Sequence, residues 1–249
     1  MPKSSNTANK NYDHIKVIAF DADDTLWVNE TYFRDAEAKF ADLLSQYETP
    51  NNIQQELFKV EIQKLPLYGY GVKGFILACM ECALKISNHT LPPSTMQAIL
   101  DIGQDMLTKP IELLDGVEQV LQTLAAKQDR YRLIVITKGD LLDQERKLQR
   151  SNLLQYFHHI EVVSEKGAAD YQKVLKHLDI PPDELLMIGN SLKSDVLPLL
   201  EIGAAAIHVP FQTTWVHEQV HEDVTKNKDF PTLSSLKELL PLLNLEAEE

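Results

Sequence analysis

The sequence is poor in cysteine, has no long apolar run and carries no surplus of positive charge. Its two cysteines, Cys79 and Cys82, rule out a disulfide framework and fit a reducing compartment. No apolar stretch approaches the roughly 18 residues of a membrane-spanning helix. The polar stretch Met1–Asp13 lacks the apolar core of an export signal, so a cytoplasmic location is expected. Lys and Arg number 24 against 37 Asp and Glu, a net charge of −13. Such a surface repels phosphate backbones and anionic lipids, so neither nucleic acid nor membrane is expected as a partner. What remains is a 249-residue chain, 44% hydrophobic and 24% charged, of ordinary globular composition. Its length corresponds to roughly 1.7 domains.

Five short apolar runs stand out: Ile15–Phe20, Leu133–Ile136, Ile160–Val163, Leu185–Ile188 and Ala204–Val209. Runs this short, apolar on both faces, suit strands buried in a parallel sheet. Helical patterns lie at Val117–Lys127, Leu141–Phe157, Ala168–Leu178 and Asp195–Ile202, giving the alternation of a doubly wound α/β core. Residues 30–107 break that alternation. They read as four helices, near Thr31–Tyr47, Ile53–Leu65, Val72–Ile86 and Ser94–Leu107, with Pro50, Pro66, Pro92 and Pro93 at their boundaries. The expected organisation is an α/β core of residues 1–29 and 108–249 with an inserted helical subdomain. From about Phe211 the chain reads as loop until a terminal helix at Leu233–Leu243 and an acidic tail.

Chemistry collects where the apolar runs end. The first is followed by Asp21-Ala22-Asp23-Asp24-Thr25, the second by Thr137-Lys138-Gly139-Asp140 and the third by Ser164-Glu165-Lys166. The fourth leads into Gly189-Asn190-Ser191, with Asp195 following. Ligands of open α/β sheets bind outside the carboxyl ends of the strands, so these residues are expected to share one crevice. Three carboxylates within four residues repel one another unless a pKa rises or a cation binds. All-oxygen ligands favour a hard ion, and Mg²⁺ is the natural occupant. Thr137 and Lys166 offer a hydroxyl and an ammonium suited to phosphoryl oxygens.

This ordered set resembles the haloacid dehalogenase superfamily of hydrolases, from about His14 to Val209. Asp21-Ala-Asp-Asp-Thr25 matches its D-x-D-x-T motif, Thr137 its Ser/Thr motif, Lys166 its lysine motif and Gly189-Asn190…Asp195 its last motif. The resemblance implies a Rossmann-like core and makes the inserted helices its cap. Phosphatase-like members are the nearer likeness, because Asp23 supplies the second acid that an ester leaving group requires. The resemblance further implies Asp21 as nucleophile forming an aspartyl-phosphate and Asp23 as general acid and base. It implies Thr137, Lys138 and Lys166 around the phosphate of a small phosphorylated metabolite, and Mg²⁺ held among Asp21, Asp23, Asn190 and Asp195. Two departures stand out: Asn190 occupies a position where many members have a metal-binding aspartate, and Asp24 replaces a frequent glycine. A phosphoglucomutase-like transferase and a non-catalytic phosphate-binding or regulatory protein remain alternatives.

Other signals carry blander readings. The C-x-x-C pair lies in an apolar helical pattern and is expected as buried packing. Gly69-Tyr-Gly71-Val-Lys-Gly74 fits a dinucleotide fingerprint literally, but helical patterns flank it on both sides, and a helix-opening turn is expected. Tyr68, Tyr70 and Trp27 read as packing. His217 with His221, and the adjacent His158 and His159, lack further zinc ligands. Lys173 falls within a helix and is the weaker lysine candidate.

Overall fold

A computed structural model describes residues 11–246. Most of the polar N-terminal stretch and the end of the acidic tail, both noted above, lie outside those residues.

The five apolar runs become five strands: β1 (Val17–Phe20), β2 (Arg132–Lys138), β3 (His159–Val163), β4 (Leu185–Gly189) and β5 (Ala205–His208). They lie in the order β3-β2-β1-β4-β5, with β1 parallel to both β2 and β4, and β4 parallel to β5. The order reverses between β2 and β4, on either side of β1. That is where an open α/β sheet leaves a crevice at its carboxyl edge.

Strands β1, β2 and β4 bury both faces, which is why their runs lack polar alternation, whereas β3 is half-buried throughout and carries Glu161. Ile18, Phe20, Leu133, Val135, Leu186 and Ile188 enter one core with α5 (Val117–Ala125) and the C-terminal Leu236, Leu239 and Leu240. Val17, Ala19, Ile134, Ile136, Leu185 and Met187 enter another with α7 (Ala168–His177) and α8 (Leu197–Glu201). Truncating one such fully buried leucine or isoleucine to alanine costs about 2–5 kcal/mol.

The chain divides into two compact units. One comprises residues 1–28, 111–137 and 147–249, the other 29–110 and 138–146. The second unit thus has an additional piece, 138–146, which the sequence pattern assigned to the α/β core. Its four long helices are α1 (Glu30–Leu43), α2 (Pro50–Tyr68), α3 (Val72–Ile86) and α4 (Pro93–Thr108), around a core that includes Phe40, Leu57, Phe75 and Ile99. Cys79 and Cys82 are buried in that core as free thiols, and burial pushes both pKa values up, that of Cys82 to about 12.

Several boundaries differ from expectation. Pro66 lies inside α2, two residues before its last residue Tyr68, and not at its boundary; its missing N–H leaves one carbonyl of the preceding turn without a helical partner. The helix stops instead at Gly69, whose φ of 71° suits glycine. Gly69 and Gly71 therefore form the turn into α3. Helix α6 (Leu141–Arg150) ends before Phe157, where Asn152 turns the chain at φ 60°. The terminal helix expected at Leu233–Leu243 contracts to a 3₁₀ turn at Leu236–Glu238 and α10 (Leu239–Leu242), and a short α9 (Glu222–Thr225) precedes it.

At the exit from the first unit, Trp27 bridges antiparallel to Leu113. Val28 N donates to the Glu112 carbonyl at 2.9 Å and Leu114 N to the Leu26 carbonyl at 3.0 Å. No helix among the described residues is long and apolar enough to cross a membrane.

Candidate active site

Strand β1 ends in Phe20, and the next residue, Asp21, is the first whose side chain no longer needs to be apolar. Its backbone N–H continues the sheet, donating to the Ile188 carbonyl of β4 at 2.9 Å. That bond fixes the carboxylate at the edge of the central strand. Asp21 Oδ1 accepts from Lys166 Nζ at 2.5 Å, and Oδ2 accepts from Thr25 Oγ1 at 3.2 Å. Lys166 Nζ also donates to Asp195 Oδ1 at 2.7 Å. One buried ammonium thus joins two carboxylates from the ends of different strands.

Burial pushes the Asp21 carboxyl up to about 7; Lys166 opposes that rise, while Asp195 and Asp23 add to it. Burial works against charge on Lys166, but Asp195 and Asp21 outweigh it and hold the ammonium pKa well above its ordinary range. Lys173, the weaker lysine candidate, is mostly exposed and pairs with Asp170 at 3.1 Å.

The turn after β1 needs an unusual backbone. Asp24 has φ 61° and donates its N–H to the Trp27 carbonyl at 2.8 Å. A glycine is natural at such an angle, and Asp is among the few side chains that tolerate it. The turn sends Asp23 away from Asp21's partners: Asp23 Oδ1 accepts from Trp27 Nε1 at 2.7 Å and from Lys147 Nζ at 2.9 Å. Trp27 itself is fully buried, as its packing reading required.

Beyond β4, Asn190 N donates to Thr25 Oγ1 at 3.1 Å, and Thr25 Oγ1 lies 3.5 Å from Asn190 Oδ1. His208 Nε2 lies 3.0 Å from the Asn190 carbonyl, which can only accept, so Nε2 carries the hydrogen. Ser191 opens a π-type turn (Leu192–Val196), its Oγ accepting from Ser194 N at 3.0 Å. Asp195 folds back from this turn and accepts the Ser191 N–H on Oδ2 at 3.0 Å. Gly189 leaves no room for more: a Cβ there would lie 2.3 Å from Asp195 Cγ.

The sequence-predicted residues therefore separate into groups. Asp21, Lys166 and Asp195 touch directly, and Thr25 links Asp21 to Asn190. Thr137 is buried at the end of β2. Lys138 belongs to the second unit, where its ammonium stands 4.2 Å from the centre of the Tyr70 ring. In that unit Lys73 pairs with Asp140 at 2.9 Å.

The expected metal set does not form one side-chain cluster. Among the described residues no three His, Cys, Asp or Glu side chains are grouped as metal ligands. Asp195 is committed to Lys166 and Ser191, and Asp23 accepts from Trp27 and Lys147. What converges is Asp21 Oδ2 and Asn190 Oδ1, both beside the Thr25 hydroxyl. Two hard oxygens with the rest of the shell left to water fit Mg²⁺, which keeps several of its own waters. A cation there also relieves the like-charge repulsion on Asp21.

Three participants were not picked out from the sequence. Thr25 appeared only as a motif member. Lys147 is one of several charged residues on a polar helix and carries no signal of its own. Glu218, in a 3₁₀ turn (Val216–Glu218) within the stretch read as loop, accepts from Ser191 Oγ and Ser194 Oγ, each at 2.6 Å. Of the histidines, His158 Nδ1 accepts from Leu133 N, His159 pairs with Glu161, and His217 receives Lys193.

Comparison with known proteins places the chain in a family. A haloacid dehalogenase-like hydrolase from Xanthomonas campestris is 39% identical, with 88% of this chain and 91% of that one aligned at a TM-score of 0.75. A HAD hydrolase of Bacillus subtilis, solved with bound magnesium, shares the fold at 18% identity and a TM-score of 0.61, over 93% of this chain and 99% of that one. A glyceraldehyde 3-phosphate phosphatase from Pyrococcus abyssi is 24% identical over 78% of this chain and 80% of its own length. The relative of the same name from Pyrococcus furiosus, 27% identical over 34% of this chain, is matched over only 37% of its own length. The family model for haloacid dehalogenase-like hydrolases matches residues 15–203, and the chain belongs to that family.

Proposed function

We propose that this hydrolase is a Mg²⁺-dependent phosphomonoesterase that works through an aspartyl-phosphate on a small phosphorylated metabolite in the cytoplasm. The observation that carries this reading is the Asp21 carboxylate at the end of the central strand. It is buried and pinned through both oxygens, yet kept at the crevice edge of the sheet.

Asp21 attacks phosphorus as the bond to the ester oxygen breaks. Asp23, oriented by Trp27 and Lys147, gives its proton to the departing alkoxide and then takes one from the water that attacks the aspartyl-phosphate. Inorganic phosphate leaves and Asp21 is restored. Thr137, Lys138 and Lys166 serve the phosphoryl oxygens, and Asp195 steadies Lys166. Asp21 and Asn190 would hold Mg²⁺, which when bound spreads the charge of the transferring group. The inserted helical unit is assigned the role of a cap that selects the substrate. The archaeal relatives named glyceraldehyde 3-phosphate phosphatase support a three-carbon phosphate as the first substrate to try.

The test is a panel of metabolite phosphates with Mg²⁺, following phosphate release, with Asp21→Asn as the blank. Turnover of at least one ester that Asp21→Asn abolishes is expected. An isomer formed without free phosphate points to a mutase, and activity that survives Asp21→Asn refutes the mechanism.

A further inference from the structure

Glu218 stands far along the chain from every motif, yet it is bonded directly to the turn that carries Asn190 and Asp195. Its Oε2 accepts from two hydroxyls, Ser191 Oγ and Ser194 Oγ, at 2.6 Å each. Hydrogen bonds from hydroxyls to an ionised carboxylate are short and roughly twice as strong as neutral ones. They also fix two otherwise free rotors. With its proton aimed at Glu218, Ser191 Oγ presents a lone pair to Ser194 N, the bond that opens the π-type turn. Ser194 is held on its other side, where Tyr171 OH donates to its carbonyl at 3.0 Å.

The same two segments meet a second time. Lys193 Nζ donates to the His217 carbonyl at 2.8 Å, next to Glu218 in sequence. A π-type turn is less favourable than a continuous α-helix and recurs where function needs it. Here it is clamped from outside at Ser191, Lys193 and Ser194. The clamped turn has Asn190 at its head and Asp195 within it. Ser191 N holds Asp195 Oδ2, whose partner oxygen holds Lys166.

We propose that Glu218 is a positioning residue: through Ser191 and Ser194 it sets the Asn190–Asp195 turn in the conformation that receives the divalent cation. This rests on the cation-dependent reading above. Glu218 does not touch the cation in this role, and its effect is the preorganisation of Asn190 Oδ1 and of the Asp195–Lys166 pair. Groups that orient metal ligands from behind commonly change metal affinity 10–100-fold when removed.

The experiment is calorimetric titration of Mg²⁺ into the whole protein without substrate, beside its thermal melting curve. Glu218→Ala is expected to weaken Mg²⁺ binding about tenfold while the chain still melts as a folded protein. Glu218→Gln keeps an acceptor oxygen for the serines and is expected to recover most of that loss. Ser194→Ala weakens binding alone but adds nothing in the Glu218→Ala background, because the two act through one contact. If the parent binds Mg²⁺ and Glu218→Ala binds it equally well, the proposal is overturned. So it is if Glu218→Gln fails as badly as Glu218→Ala, or if the Ser194 and Glu218 losses simply add. A parent that binds no Mg²⁺ instead overturns the cation-dependent function, and the proposal with it.

Discussion

Replacing Lys166 by methionine keeps the length of the side chain and removes its charge. The ammonium is almost wholly enclosed, with a side-chain exposure of 1%, and so is the Asp195 carboxylate. At 2.5 and 2.7 Å, each attraction is worth about 6 kcal/mol at an effective dielectric of 20. Desolvating the ammonium takes back several kcal/mol. Without the lysine, two buried carboxylates face each other with no cation between them, and breaking such a pair costs about 3–5 kcal/mol. The Lys166→Met variant is therefore expected to lose about that much stability in urea, in chelator at pH 7.5, with its m-value unchanged. Adding Asp195→Asn removes one surplus charge and should return about half of the loss. A deficit below about 1 kcal/mol, or a double variant weaker than the single one, would show that Lys166 does not hold these carboxylates together.

Three further outcomes are expected. In the helical unit, burial raises the Glu61 carboxyl to about 8, with Glu37 and Glu30 adding to the rise and Arg34 opposing it. A carboxyl raised in this way binds more protons folded than unfolded, so its contribution is present below about pH 4.5 and is lost as pH rises through 8. Glu61→Gln should therefore stabilise the chain by up to about 4 kcal/mol at pH 7.5 and by about 1 kcal/mol or less at pH 5; equal melting shifts at the two pH values would contradict this. Asn190→Asp adds a charge beside the proposed cation and should lower the Mg²⁺ needed for half-maximal rate about tenfold, equivalent to about 1.4 kcal/mol; an unchanged Mg²⁺ titration argues against Asn190 as a ligand. Gly189→Ala drives a methyl into Asp195 and should cost stability by about 1–3 kcal/mol together with most turnover, read by urea melting and phosphate release; a fully active variant would show that the Asp195 fold-back is dispensable.

Strands β1 and β4 were legible because each buries both faces and so appears as a plain apolar run. Asp21 and Asn190 drew notice because polar residues directly after an apolar strand fall at the carboxyl edge of the sheet. Asp24 gave a fainter cue, a non-glycine at a turn that proves to need positive φ. Glu218 had no comparable cue. A glutamate in a polar stretch gains its meaning only when folding brings Ser191 and Ser194 to it. Lys147 was hidden likewise, since any charged residue on a polar helix looks like a solvated one. Pro66 misled because a proline marks a boundary only within a turn or so of its true position.

The short antiparallel ladder formed by Leu26–Val28 and Glu112–Leu114 has a consequence for how the molecule melts. An insertion of roughly 80 residues leaves and returns through chain ends held a single strand spacing apart. While the helices are folded, that closure costs nothing extra. Should they unravel alone, the ladder must hold shut a flexible loop of that length, an entropic charge on the order of 4 kcal/mol. Unravelling of the helices between Asn29 and Pro110 thereby weakens the ladder that closes them. The same narrow waist makes the insertion a cassette: a two-residue hairpin turn spans such a gap. A chain shortened from Val28 directly to Ile111 by such a turn is expected to keep the pairing of Leu26–Val28 with Glu112–Leu114.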